Sequence, residues 1–329
     1  MGELLPDDKD HARMETFEGW RTIFFYFPVG FHALYALTLL FFVTYEPIKY
    51  NLTKGNHEEA CYAVRRMYLG CTEDNQDLYV EKIRQSSGSD FSGLTVKDAL
   101  VDPQYRTATW VNVGYIIFHE LTGINVINLY STTIFKNMQK PGSHSWLTPR
   151  RGTYLVGATQ VVFCLSTSYI VRCFGRKTLL IWGHIAIAVI HASVGIFNIF
   201  HVDAGVVAMV MCFMVAYSWS SGPVAWLYAA ETVIDTALGV CLLTLWGTVF
   251  VLSIVCPILM DPGSLGPTGM FFIFSGLSCV GTAYVIFMIK ETKPLTDKQK
   301  KLLFTPKRFL SHEDKALMRE AELELFEEE

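Results

Sequence analysis

Charge is scarce in this 329-residue chain. Asp, Glu, Lys and Arg make up 18% of it, where soluble domains usually carry about 25%. The formal net charge of −4 is small for the length and points to neither a nucleic-acid partner nor a polyanionic tail. No C-x-x-C pair occurs among the eight cysteines, Cys61, Cys71, Cys164, Cys173, Cys212, Cys241, Cys256 and Cys279, so the spacing of a zinc site or a disulfide framework is missing. Most of them fall in apolar runs, and buried free thiols acting as small hydrophobes are expected. The first nineteen residues lack the short apolar core and small-residue cleavage site of a secretory leader. No nucleophile–base pair and no phosphate-cradling loop stands out. The reading is therefore not an enzyme, with no catalytic residue and neither metal nor other cofactor.

What is abundant is apolar length, with 51% of residues hydrophobic and 14% aromatic. A hydrocarbon core about 30 Å thick takes roughly 20 apolar residues of helix. Seven stretches qualify, at about 22–44, 108–135, 152–172, 178–200, 205–228, 238–260 and 268–289. Pro28, Gly123, Gly157, Gly183, Pro223 and Pro257 fall inside them, which is tolerated in lipid where neighbouring helices satisfy the freed backbone groups. The expected fold is all-α, a polytopic membrane helix bundle of about seven transmembrane helices. Its parts are a polar segment 1–21, a first span 22–44, a charged loop 45–107, a six-helix block 108–289 and a charged tail 290–329.

Lys and Arg outside the spans divide unevenly, with eight in 45–107, three in 172–177 and nine in the tail, against three in 1–21 and four in 136–151. The positive-inside rule then places the 45–107 loop and the C-terminus in the cytoplasm of a multi-pass protein, most naturally at the plasma membrane. The one sequon, Asn51-Leu52-Thr53, falls on that side and is expected to stay unmodified. Within the loop, residues 56–68 set Ala60, Val64 and Met67 at helical spacing, and residues 73–85 suit a second amphipathic helix. Thr95 to Asp98 resembles a capping box before a third. Ser86, Ser87, Gly88, Ser89 and Gly93 mark a flexible joint between them.

Five motifs carry a resemblance. Leu121-Thr122-Gly123-Ile124-Asn125, followed by Leu129-Tyr130-Ser131, resembles the QQxTGxNxxxYYS motif of a seventh helix. Phe174-Gly175-Arg176-Lys177-Thr178-Leu179-Leu180 is similar to a GRR/GRK turn between helices eight and nine. Ser221-Gly222-Pro223-Val224-Ala225-Trp226 through Glu231 resembles GPxxWxxxxE of a tenth helix. Glu291-Thr292-Lys293 with Leu295-Thr296 is similar to a PETKGLT ending, and Tyr45-Glu46-Pro47-Ile48-Lys49-Tyr50 stands where PESPRW/Y follows a sixth helix. Five in order over about residues 20–300 resemble the sugar porters of the major facilitator superfamily, with eukaryotic hexose transporters nearest in style. The seven spans then match family helices six through twelve, so the fold implied is a partial major facilitator fold lacking most of an N-terminal half.

The resemblance implies two six-helix halves around a midplane sugar site exposed to each side in turn. It assigns Asn125 to sugar hydroxyls, places His119 and Glu120 at the two Gln positions, and puts Gln160 at an eighth-helix Asn position. Trp226 and Trp246 match aromatic residues beside the sugar. Tyr130, Gly222 and Pro223 match gating positions. The residue chemistry agrees, since a sugar presents a fork of donors and acceptors around an apolar ring, and one unpaired group costs about 1–3 kcal/mol. Interhelical hydrogen bonding is the plainer role for Asn125 and Gln160, as packing or interfacial anchoring is for the two Trp.

Glu120 is the most unusual residue in the spans, because intramembrane ionisable groups are costly and usually face a cavity. Three readings stand open: altered substrate recognition, proton coupling with His119 as neighbour, or drift in a chain that no longer transports. His32, His184 and His191 are expected inside the bundle. The family's acidic-Arg-x-Gly-Arg turn reads Arg172-Cys173-Phe174-Gly175-Arg176 here, and Thr236 stands where an Arg is expected. The ion-pair latch is thereby thinned to Glu231 with Arg176 or Lys177, and Glu46 with Lys49. The partners implied are a sugar, the lipid bilayer, protons on one reading, and an N-terminal transporter half, with no nucleic acid. The competing classes are a seven-helix receptor, which the GRK turn and ETK ending oppose, and a non-transporting sugar sensor or decayed fragment.

Overall fold

Every regular element among the described residues is helical. The computed structural model describes residue 19 and residues 22–43, 45–87, 94–138, 149–261 and 263–328. The polar segment up to residue 18, Gly88, Ser89 and Gly93 of the expected joint, and positions 139–148 of the 136–151 loop lie outside them. The chain divides into two compact units, residues 1–93 and 94–329.

In the first unit a π-helical turn, Thr22–Tyr26, runs into α1, Phe27–Phe42. Pro28 sits in the first turn, where its missing N–H leaves no bond unmade. No residue of α1 is buried and it is apolar all round, as suits a helix solvated by lipid. The loop after it folds into α2 (Ile48–Lys54), α3 (His57–Met67) and α4 (Gln76–Ser87). Gly55, at φ 77°, closes α2 in the left-handed conformation, which costs a glycine little. Ala60, Cys61, Ala63 and Val64 of α3 pack with Ile48, Leu52 and Val80 into a small core. Met67, expected on that face, is exposed, because Cys61 and Ala63 shift the buried stripe away from it. Asn51 of the sequon is buried, and its Nδ2 donates to the Glu46 carbonyl at 3.4 Å.

The second unit begins with α5, Val96–Val101. Thr95 Oγ1 accepts from the Asp98 amide, while the Asp98 carboxylate accepts from the Thr95 amide at 2.8 Å, the expected capping box. The bundle follows: α6 (Arg106–Glu120), α7 (Ile124–Met138), α8 (Pro149–Cys173), α9 (Arg176–Ile199), α10 (Asp203–Trp219), α11 (Ser221–Thr232), α12 (Asp235–Met260) and α13 (Gly266–Met288). Short α14 (Asp297–Leu302) and α15 (His312–Glu328) end the chain. Among the described residues five segments are long and apolar enough to cross a membrane: Arg151–Cys173, Arg176–Ile199, Asp203–Thr232, Asp235–Met260 and Gly266–Met288. The expected 108–135 span is the pair α6 and α7, interrupted at Leu121–Gly123. The 205–228 span likewise breaks at Ser220 into α10 and α11.

Helix α9 is the hub of this unit and packs chiefly against α13 and α10. Two apolar cores form, one around Tyr115, Leu180, Tyr228 and Val285, the other around Ile127, Phe213, Phe271 and Phe274. Leu165, Leu243, Phe250 and Phe287 point outward. Such outer faces need no water-hating partner when hydrocarbon is the solvent. The same physics corrects the cysteine expectation. Cys61, Cys241 and Cys256 are buried, but Cys164, Cys173, Cys212 and Cys279 are exposed and all eight are free. His184 and His191 are buried as expected, whereas His32 is exposed on α1 with Nδ1 2.7 Å from the Pro28 carbonyl.

Candidate functional site

The break between α6 and α7 builds the polar centre. Gly123 adopts φ 85°, a conformation a side chain resists, and a Cβ there would press 3.2 Å from the Phe274 ring. Thr122 Oγ1 donates back to the His119 carbonyl at 2.6 Å. The Thr122 carbonyl, freed by the break, lies 2.9 Å from His191 Nε2 of α9. A neighbouring helix thus satisfies the interrupted backbone.

Across this break Asn125 Nδ2 donates to Glu120 Oε2 at 2.5 Å. His119 and Glu120 are 2% and 1% exposed, while Asn125 is half-buried. Both imidazole nitrogens of His119 are engaged, Nδ1 with Ser221 Oγ at 2.9 Å and Nε2 with the Tyr217 hydroxyl at 3.2 Å. The Tyr115 hydroxyl also reaches Ser221 Oγ, at 3.2 Å. The Glu120 carboxylate lies 3.6 Å from His119 Nε2, beyond hydrogen-bonding range. His119 therefore clamps α6 to the α10–α11 break. Tyr217 and Ser221 complete this network, and their role has no signal in the local sequence beyond the Ser-Gly-Pro motif.

That second break is equally supported. Gly222 lies so close to the Tyr217 carbonyl that a Cβ would stand 3.2 Å from it. Thr167 of α8 donates to the Ser218 carbonyl at 2.6 Å, and Trp219 Nε1 donates to Ser166 Oγ at 2.7 Å. Pro223 sits in the first turn of α11, where its missing N–H is harmless.

Of the remaining sugar-site expectations, Gln160 is half-buried on α8. Trp226 is half-buried against the Tyr115 core, and Trp246 is 62% exposed on α12. Among the described residues no hydrogen bond or ring contact links these three to the Glu120–Asn125 pair. Tyr130 donates from its hydroxyl to the Ser253 carbonyl of α12 at 3.0 Å. A groove of about 540 Å³ between α8, α9 and α10 is lined by Ile170, Leu179, Trp182, Val215 and Trp219 among others. Its wall is almost wholly apolar and offers no fork of polar groups to a sugar.

At one end of this unit Glu231 accepts from Arg176 Nη2 at 2.8 Å, Lys300 Nζ at 3.0 Å and Thr292 Oγ1 at 2.7 Å. Among the described residues Lys177 joins through its backbone alone. Its amide and that of Arg176 donate to the Glu291 carboxylate at 3.0 and 2.8 Å, capping α9. Thr292 and Lys293 amides donate to the same carboxylate at 2.9 and 3.0 Å. Gly175 allows this approach, since a Cβ there would collide with that carboxylate. Glu291 and Lys300 were not legible as partners, although the Glu-Thr-Lys ending marks the first. Thr236 donates to the Leu94 carbonyl at 3.4 Å. Glu46 and Lys49 belong to the other unit, where the Glu46 carbonyl takes the Asn51 bond.

Comparison with known proteins bears on the family and the fold. The sequence profile of the family described as "Sugar (and other) transporter" matches residues 13–304. "Probable metabolite transport protein CsbC" of Bacillus subtilis is 27% identical over 288 residues, covering 84% of this chain and 59% of that protein. "Hexose transporter 1" of Plasmodium knowlesi is 28% identical over 287 residues, covering 83% of this chain and 55% of the relative. The chain thus spans a little over half the length of the curated relatives it matches. Among solved structures, the major facilitator superfamily proton:xylose symporter XylE superposes with a TM-score of 0.66 at 22% identity, over 90% of this chain and 60% of XylE. The likeness carries the fold: an all-helical, partial major facilitator bundle in a multi-pass membrane protein. The chain belongs to the sugar (and other) transporter family, a family of transporters rather than enzymes.

Proposed function

We propose that this chain supplies the C-terminal, substrate-holding half of a sugar porter and moves a hexose-like sugar by alternating access when joined to an N-terminal half. The observation that carries the reading is the Glu120–Asn125 hydrogen bond across the α6–α7 break. Discontinuous helices at mid-membrane are where transporters of this architecture place substrate groups. Asn125, half-buried beside a carboxylate, offers its carbonyl oxygen to a sugar hydroxyl. Gln160 adds a second amide, and Trp226 and Trp246 add aromatic faces for the ring. His119, with both nitrogens engaged, holds the α10–α11 break in register instead of meeting substrate.

Hexose transporter 1 and XylE are a hexose carrier and a proton:xylose symporter by name, which supports a monosaccharide substrate. Glu120 is the residue through which a proton would be coupled. The Lys and Arg asymmetry supports a cytoplasmic C-terminus and 45–107 loop, with the plasma membrane as the site of action. The Glu231 cluster then lies on the cytoplasmic face as a latch.

The test is radiolabelled hexose uptake into proteoliposomes holding this chain alone or joined to the N-terminal half of a hexose transporter. Uptake by the joined protein that falls with Asn125→Ala supports the reading. A joined protein that inserts and folds yet neither binds nor moves any sugar overturns it.

A further inference from the structure

Outside the transport region, three side chains of the first unit converge on one point. His57 opens α3, Cys61 stands one helical turn along it, and Asp77 lies in the first turn of α4. His57 Nε2 is 2.8 Å from Asp77 Oδ1, and Cys61 Sγ is 3.5 Å from each of those atoms. All three ligand atoms lie within 4.8 Å of one another. The i, i+4 spacing places His57 and Cys61 on one face of α3, and α4 folds back to present the carboxylate.

We propose that His57, Cys61 and Asp77 form a binding site for a borderline divalent cation of the Zn²⁺ class. Bond lengths of about 2.3 Å to sulfur and about 2.0–2.1 Å to nitrogen and oxygen, arranged tetrahedrally, require ligand separations of about 3.5 Å from sulfur and about 3.3 Å between nitrogen and oxygen. Both sulfur edges already have that length. The His57–Asp77 edge is shorter because a hydrogen bond joins the two, and the exposed Asp77 carboxylate can open it by a small rotation. The side chains of His57 and Asp77 are 53% and 73% exposed, so solvent reaches the site and water completes the fourth position. One thiolate, one imidazole and one carboxylate together suit zinc better than calcium or magnesium, which take oxygen ligands alone.

The scaffold is pre-set for this role. The connection from α3 to α4 is held by Asn75, whose Oδ1 accepts from the Thr72 amide at 2.7 Å and whose Nδ2 donates to the Gly70 carbonyl at 3.1 Å. Arg65 pairs with Glu73 alongside it. Cys61 itself is buried in the small core with Ala60 and Val64, so its sulfur position is fixed by packing. Bound metal would staple α3 to α4 and stiffen the loop helices as one block, a structural role independent of sugar transport. Sequence spacing hides the site, because the third ligand comes from the next helix and no C-x-x-C is involved.

Titration of the detergent-purified full chain with Co²⁺ tests it. The expected result is one cobalt per chain with a thiolate-to-cobalt charge-transfer band that Zn²⁺ displaces. Cys61→Ser should abolish the band, and His57→Ala or Asp77→Ala should weaken binding by more than the roughly 10–100-fold typical of losing an outer hydrogen-bond partner. Cys71→Ser and Cys173→Ser should keep it. Absence of the band in the parent chain, or its survival in Cys61→Ser, overturns the proposal. X-ray absorption of the zinc-loaded parent chain gives an answer free of misfolded variants. One sulfur with nitrogen and oxygen neighbours supports the site, and a sulfur-free shell refutes it.

Discussion

The Tyr130 hydroxyl donates to the carbonyl of Ser253 at 3.0 Å, four residues before Pro257 inside α12. Proline has no N–H to return to the carbonyl four residues back. Tyr130 therefore supplies, from α7, the hydrogen bond that α12 cannot make for itself. Tyr130→Phe should cost about 1 kcal/mol of stability, the net worth of one such bond, read as a lower melting temperature in detergent. In a Pro257→Ala background α12 recovers its own bond and the same substitution should cost much less. Equal costs in both backgrounds would remove Pro257 from the explanation.

Glu231 stands between two cations, Arg176 and Lys300, in a site where all three side chains are largely shielded. Removing the shared anion leaves both positive charges buried, and breaking such a group costs about 3–5 kcal/mol. Glu231→Gln should therefore destabilise the second unit strongly. Lys177→Met should stay within about 0.5 kcal/mol, because this half-buried residue meets the cluster through its backbone amide and not its side chain. Thermal unfolding of the two variants side by side separates a Glu231–Arg176–Lys300 cluster from one that includes the Lys177 side chain.

The five long apolar segments among the described residues were legible in the sequence because apolar length is a strong local signal, and the capping box at Thr95 and Asp98 is local as well. The interruptions were legible only as residue types. Gly123 and Pro223 flagged trouble, but where the freed groups would go depends on helices far along the chain: His191 for Thr122, Thr167 for Ser218, Tyr130 for Ser253. Such bonds leave no periodic trace. The His119–Glu120 neighbours show the limit well. Adjacent helical positions point about 100° apart, yet the carboxylate comes within 3.6 Å of the imidazole because the helix ends there. The Glu231 partners were half-read for a similar reason, since Lys300 arrives from α14, past the last span.

Glu120 and Asn125 give a substitution series whose order is fixed by hydrogen-bond chemistry. In the protein joined to an N-terminal half, Glu120→Gln keeps an acceptor oxygen facing Asn125 Nδ2 and should retain uptake within about threefold, less than the loss of one neutral hydrogen bond. Glu120→Leu leaves the amide unpaired in a low-dielectric site, and Asn125→Asp sets two carboxylates face to face. Each should lower uptake by about tenfold or more, equivalent to 1.4 kcal/mol or above. Loss of pH dependence in Glu120→Gln with sugar exchange intact would identify Glu120 as the proton-linked group.

Asp98 ties stability of α5 to pH. Hydrogen bonds from Thr95 hold its carboxyl below the usual carboxylate range. A group whose folded value is depressed adds stability above its unfolded value, about 3.9 for Asp, and that stability fades as pH falls through the lower folded value. Acid should therefore loosen the first turn of α5 before the rest of the second unit opens. Hydrogen exchange of the Ala99 amide, bonded to the Thr95 carbonyl at 3.1 Å, should speed up across that window after correction for the intrinsic rate. In Asp98→Asn, which cannot titrate, the corrected protection should be flat with pH. An equally steep profile in the variant would place the acid sensitivity outside the capping box.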